Sequence, residues 1–172
     1  MSTHVNYRVP GLIPIVRQPT PMACWATTAT MLLSWKDEQS YSIETAMDML
    51  GGNFRTIYDS DTGLSPGDVE SFCTASGLAL EYPACDTPEH IENLLQWYGP
   101  LLIIDDEDAS ANFALHARIV TGITGDGTPA GTKLTIIDPW DGTQYDESFE
   151  TFTSKYEQAA GVANLTLQMM HY

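Results

Sequence analysis

Cationic side chains are scarce in this chain: seven Lys and Arg stand against 23 Asp and Glu among 172 residues, a formal charge of −16. So acidic a protein repels nucleic-acid phosphates and anionic lipid surfaces, and neither nucleic acid nor membrane is an expected partner. No run approaches the ~20 apolar residues of a membrane span. Residues Met1 to Arg8 lack a basic region followed by an apolar stretch, so no ordinary secretory signal is expected there. Only three cysteines are present, an odd number that does not read as a disulfide framework and points to a reducing compartment. There is no Cys-x-x-Cys, no His-x-x-x-His and no dense carboxylate loop, so neither metal nor cofactor is expected. The nearest acidic cluster, Asp105-Asp106-Glu107-Asp108, has no ion-wrapping spacing and reads as a solvated loop or a contact rim. Repeats, low-complexity runs and linkers are absent as well.

What is present is enough apolar material, 43% of residues, for one domain over residues 1–172 with a sizeable core. After an extended arm, residues 21–36 read as a helix apolar on nearly all sides, hence buried. Ser42 opens a second helix with Ile43, Ala46, Met47 and Leu50 at helical spacing, ended by Gly51-Gly52. Residues 53–64 carry turn formers and charges and read as a loop at a cleft edge. Ser65-Pro66 starts a third helix ending at Gly77, a short strand spans 78–82, and Thr87-Pro88 starts a fourth helix ending at Gly99. Strands are then expected over 101–104, 117–123, 134–137, 143–145 and 164–169. Helices first and strands afterwards predict an α+β fold, with residues 1–99 mainly helical and 100–172 mainly β.

Four residues form a kit for nucleophilic attack on an acyl group. A thiol is mostly protonated at neutral pH and needs help to become the attacking thiolate. Thr20-Pro21 reads as a helix N-cap with proline at the first helical position, which puts Cys24 in the first turn. There the unpaired N–H groups and the positive end of the helix dipole favour a negative sulfur. His116 opens one predicted strand and Asp138 ends the next, so antiparallel pairing sets the two side by side, close enough for the carboxylate to orient the ring. Trp140 is placed to shield that contact. Gln18 can aim its side-chain amide, with the Cys24 backbone N–H, at a developing oxyanion.

The remaining candidates have plainer readings. Cys73 lies on the apolar stripe of a helix and reads as core, and Cys85 reads as a spare thiol in a connection. His90 falls off the apolar face of its helix, while His4 and His171, near the ends of the sequence, read as surface residues. Trp25 and Trp97 are assigned to core packing, Tyr58 and Trp140 to cleft walls.

Gln18, the tripeptide Cys24-Trp25-Ala26, His116 before an apolar strand and Asp138-Pro139 after the next resemble the papain-like cysteine peptidases. The short bacterial branches are most similar: secreted effectors, interbacterial toxins and peptidases that trim bacteriocin leaders. Papain itself has asparagine where this chain has Asp138, and no glycine-rich stretch flanks Cys24. The resemblance spans roughly residues 10–170. It implies a helical lobe packed on a twisted antiparallel sheet with the site between them, and an endopeptidase acting on a protein substrate through a Cys24 acyl-enzyme. It also implies action in the cytoplasm of a target cell after export by a specialised apparatus, with an immunity or inhibitor protein that covers the cleft. The same Cys–His–Asp chemistry would serve an acyl transferase, transglutaminase or deamidase, and a non-enzymatic binding module with a relic site is a further alternative. A bacteriocin leader peptidase fits less well, because such peptidases are usually joined to a membrane transporter.

Overall fold

The computed structural model describes residues 4–82, 86–106, 115–163 and 168–172. Strand β1 (Val5–Arg8) leads through an extended segment to helix α1 (Cys24–Lys36), followed by α2 (Ile43–Leu50), α3 (Phe54–Asp59), a 3-10 turn at Pro66–Asp68 and α4 (Val69–Ser76). Strand β2 (Ala79–Glu81) and helix α5 (Pro88–Tyr98) precede β3 (Leu101–Asp106), β4 (Leu115–Gly125), β5 (Thr132–Asp138) and β6 (Thr143–Ser148), with α6 (Phe149–Ala163) and β7 (Met169–His171) last. The sheet runs β2-β7-β3-β4-β5-β6, with every pairing antiparallel. The long strand β4 pairs with β3 through Val120 and with β1 from Gly122 onward. A register shift between Val120 and Gly122 accompanies this change of partner. Gly122 is needed there, since a Cβ would stand 3.1 Å from the Tyr7 carbonyl.

Helix starts follow local chemistry. The Ser42 hydroxyl accepts the Thr45 N–H and the Thr87 hydroxyl accepts the His90 N–H, both at 3.1 Å, with Pro88 at the first position of α5. Gly99 ends α5 at φ +87, and a Cβ there would fall 2.2 Å from the Trp35 ring, so both backbone and packing require glycine.

Helix α1 is buried over ten successive residues, Trp25 to Ser34. It tolerates this in part because Thr27, Thr28 and Thr30 turn their hydroxyls onto the carbonyls of Ala23, Cys24 and Ala26 at 2.7–2.9 Å, so that each of these hydroxyls has an acceptor. One core surrounds α1, joining α2, α3 and α4 to the sheet face that carries Leu102, Ala117, Ile119 and Ile137. A second core lies on the opposite face, where α5 and α6 cover Leu101, Ile103, Val120 and Ile136. The sheet is thus buried on both sides.

The α+β class agrees with expectation, and several local readings are corrected. Residues 53–64 are not all loop: Phe54–Asp59 is helical because Phe54 is drawn into an aromatic cluster with Trp25 and Phe72, ring centroids 5.6–6.4 Å apart. Helix α6 was not expected, nor β1, so the chain crosses the helix-to-strand boundary drawn at residue 99. Trp97 is exposed rather than core. His171 is buried rather than a surface residue, since β7 inserts between β2 and β3 and the ring stacks on Tyr98 and bonds Glu81 at 2.7 Å. Asp105 and Asp106 close strand β3 and are fully buried, which overturns their reading as a solvated loop. Cys85, Glu107, Asp108 and the beginning of the strand expected at 164–169 lie outside the described residues.

Phe72 locks α4 against α1 through that aromatic cluster. Phe72→Ala is expected to cost about 3–5 kcal/mol of folding free energy, read as a lowered urea midpoint at unchanged slope.

Candidate active site

Cys24 is placed by the turn that precedes it. The Ala23 N–H reaches the Thr20 carbonyl at 3.2 Å, and the Met22 N–H reaches Asp61 Oδ1 at 3.1 Å. Thr20-Pro21 therefore opens a turn instead of capping the helix. The N-cap is Ala23 and Cys24 is the first helical residue. This correction strengthens the electrostatic argument, because the sulfur now sits at the very end where helix N–H groups are unpaired. The Gln18 N–H donates to the Pro139 carbonyl at 2.7 Å, which pins the approach to α1 onto the end of β5.

His116 starts the inward-facing part of β4 and is itself buried. Its Nε2 lies 2.7 Å from Asp138 Oδ1, which also accepts the Trp140 backbone N–H at 2.8 Å. With Nε2 engaged by the carboxylate, Nδ1 is the ring nitrogen left over, and Cys24 and His116 line the same cleft. Burial pulls the imidazole pKa down, but hydrogen bonds with Asp138 and Cys24 and their negative charge outweigh it and raise the value to about 9. Burial alone would raise the Asp138 pKa, yet the His116 bond, the Trp140 N–H and the positive charge of Arg118 hold it below its ordinary value. The arrangement favours imidazolium and carboxylate together at neutral pH.

Cys24 and His116 open onto a cleft of roughly 600 Å³. Its walls are largely apolar, with Met22, Leu64, Val69, Ile104, Leu115 and Trp140 among them. Trp140 stands in that wall, half exposed, and its backbone N–H bonds Asp138. Tyr58, read as a wall, does not line the cleft and instead bonds Glu44 at 3.2 Å.

Gln18 is buried close by, but both amide hydrogens are engaged, on the carbonyls of Thr20 at 2.9 Å and Pro21 at 3.0 Å. In this state its amide shapes the turn before Cys24. Cys73 is core, its thiol pushed up to about 11 by burial. His90 faces Asp86 at 3.6 Å on the surface, and His4 is exposed. Among the described residues no group of His, Cys, Asp and Glu is arranged to hold a metal ion, and no helix is long and apolar enough to cross a membrane.

One set of residues near the site escaped the sequence reading. Arg118, two positions past His116 on β4, is 1% exposed and forks onto Asp105 through Nε and Nη2. Its Nη1 bonds Glu147 at 3.1 Å and the Tyr145 hydroxyl at 2.8 Å, while Lys155 closes on Glu147 at 2.6 Å. The available signal was a lone cation inside the apolar run 117–123, since a buried charge requires partners.

Because the folded His116 pKa exceeds the ~6.5 of an unfolded histidine, its interactions contribute stability in full below about pH 6.5 and lose it as pH rises through about 9. An NMR titration of the ring is expected to give a midpoint near 9. Asp138→Ala leaves burial less opposed, and the midpoint should move to lower pH.

No curated protein matches the chain closely enough to count as a relative. A family model described as papain-like cysteine protease AvrRpt2 matches residues 3–157, which includes Gln18, Cys24, His116 and Asp138. The chain belongs to this family of papain-like cysteine proteases, whose namesake is a bacterial effector.

Proposed function

We propose that residues 1–172 act as a single peptidase domain, an endopeptidase with Cys24 as nucleophile, His116 as acid and base, Asp138 as orienting carboxylate and Gln18 as a donor to the oxyanion. The observation that supports this reading most is the His116 ring bonded to Asp138 at 2.7 Å and lining one cleft with Cys24 at the start of α1. Sulfur attacks the peptide carbonyl, a C–S bond forms and the carbonyl electrons move to oxygen. The Cys24 backbone N–H at the helix end meets that oxygen, and Gln18 joins it by exchanging one of its two carbonyl bonds for the substrate. The imidazolium gives its proton to the leaving amine as the C–N bond breaks. Water, deprotonated by His116, then releases the acyl group and restores the thiol.

The substrate is a protein, and apolar side chains of an extended segment fit the cleft walls. The setting is the reducing cytoplasm of a target cell, reached as a bacterial effector or an interbacterial toxin, where Cys24 stays a free thiol. A producer-side immunity or inhibitor protein covering the cleft would carry positive charge to match the −16 of this chain.

The test is a survey of new protein N-termini in target cells exposed to the active protein and to Cys24→Ala. Neo-termini that vanish with the variant are expected, and Gln18→Ala should slow cleavage by about 10²-fold or more. Identical N-termini with both proteins, or a mass gain on intact target chains in place of two fragments, would refute hydrolysis.

A further inference from the structure

Asp138 is held by His116 and Trp140 through Oδ1 alone, and a carboxylate gripped by one oxygen can still rotate about its Cβ–Cγ bond. Its other oxygen, Oδ2, stands 3.5 Å from the Tyr145 hydroxyl. Strand register explains the approach: Tyr145 of β6 lies opposite Ile136 of β5, and Asp138 is the next residue of β5 on the same face. That hydroxyl already accepts Arg118 Nη1 at 2.8 Å. A phenol has a single proton, and with a lone pair taken by the guanidinium the proton is left to donate, with Asp138 Oδ2 as the acceptor in reach.

Arg118 does not need Tyr145 for charge balance. Arg118 and Lys155 are matched by Asp105 and Glu147, a neutral buried set of two cations and two anions. The fork onto Asp105 fixes the guanidinium plane, so Nη1 presents to the phenol from a rigid base.

We propose that Tyr145, backed by Arg118, is a positioning residue that fixes the plane of the Asp138 carboxylate through Oδ2, and thereby the orientation of the His116 ring toward Cys24. The proposal rests on the Cys24–His116–Asp138 reading above.

Iodoacetamide tests it without a known substrate. Its rate of alkylating Cys24 at pH 6, followed by mass spectrometry of the Cys24 peptide, reports the thiolate maintained by His116. The rate is compared in the native chain, Tyr145→Phe, Asp138→Ala and the double variant. Tyr145→Phe is expected to slow alkylation by about three- to tenfold, in keeping with loss of one hydrogen bond to a charged group. It should cause no further slowing once Asp138 is alanine, because the hydroxyl then has nothing to position. In the Tyr145→Phe protein the ring ¹⁵N spectrum, recorded above the His116 midpoint where the ring is neutral, should also show a larger share of the Nδ1–H tautomer.

An unchanged rate and tautomer in Tyr145→Phe would overturn the proposal. Equal slowing with and without Asp138 would do the same, because it would mark a general packing role. If Asp138→Ala alone leaves Cys24 as reactive as in the native chain, the triad reading fails and the positioning role falls with it. Loss of reactivity in Asp138→Ala but not in Tyr145→Phe removes the positioning role only.

Discussion

Antiparallel pairing between β4 and β5 determines where the chemistry meets. From Ile119 opposite Ile137, one more step along each strand reaches Arg118 and Asp138, and His116 lies diagonally beyond. The imidazole and the carboxylate can therefore touch only where β4 begins and β5 ends. Helix α1 must deliver its first residue to that corner, and the Gln18 N–H on Pro139 ties its approach to the strand that bears Asp138. A slip of one residue in this pairing would turn His116 and Asp138 to opposite faces. The two cores guard against that slip, since Ile119 and Ile137 face α1 while Val120 and Ile136 face α5 and α6.

The molecule buries charge beside its reactive corner, an unusual choice for so small a core. A guanidinium removed from water is tolerable only when its donors are met, and Arg118 meets Asp105, Glu147 and Tyr145 at once. Its positive charge also helps keep Asp138 ionised although that carboxylate is partly shielded from solvent. On the other side of the sheet, α1 solves the equivalent problem with threonines, whose hydroxyls return to the helix's own carbonyls.

The sequence disclosed most clearly whatever depends on neighbours in the chain. Ser42 and Thr87 cap their helices, and Gly77 and Gly99 end theirs, through contacts a few residues long. Cys24, His116 and Asp138 stood out as candidates because thiol, imidazole and carboxylate are the groups that acyl chemistry requires, and strand order predicted the contact of His116 with Asp138 that the structure has. Distant contacts were hidden. Phe54 is helical because Trp25 and Phe72 receive it, and His171 is buried because β2 and β3 flank its strand. Helix α6 could have been recognised from Phe149, Phe152, Tyr156 and Ala159 behind a Ser148 hydroxyl that accepts the Thr151 N–H at 3.1 Å. Its two threonines, Thr151 and Thr153, and the short preceding strand obscured that period. Gln18 was expected to serve as an oxyanion donor, but its hydrogen bonds to Thr20 and Pro21 depend on a turn that the Thr-Pro pair disguised as a cap.

Strand β6 forms one border of the sheet, and its sequence, Thr143-Gln144-Tyr145-Asp146-Glu147-Ser148, contains no aliphatic side chain. An uncovered border of backbone donors and acceptors invites a strange strand to zip alongside, and carboxylates on that border discourage it. Asp146 is exposed on that border and thus acts as a bumper against fibre-like stacking, whereas Glu147 turns inward to Arg118 and Lys155, so the strand that approaches the reactive corner also helps keep separate molecules apart at high concentration.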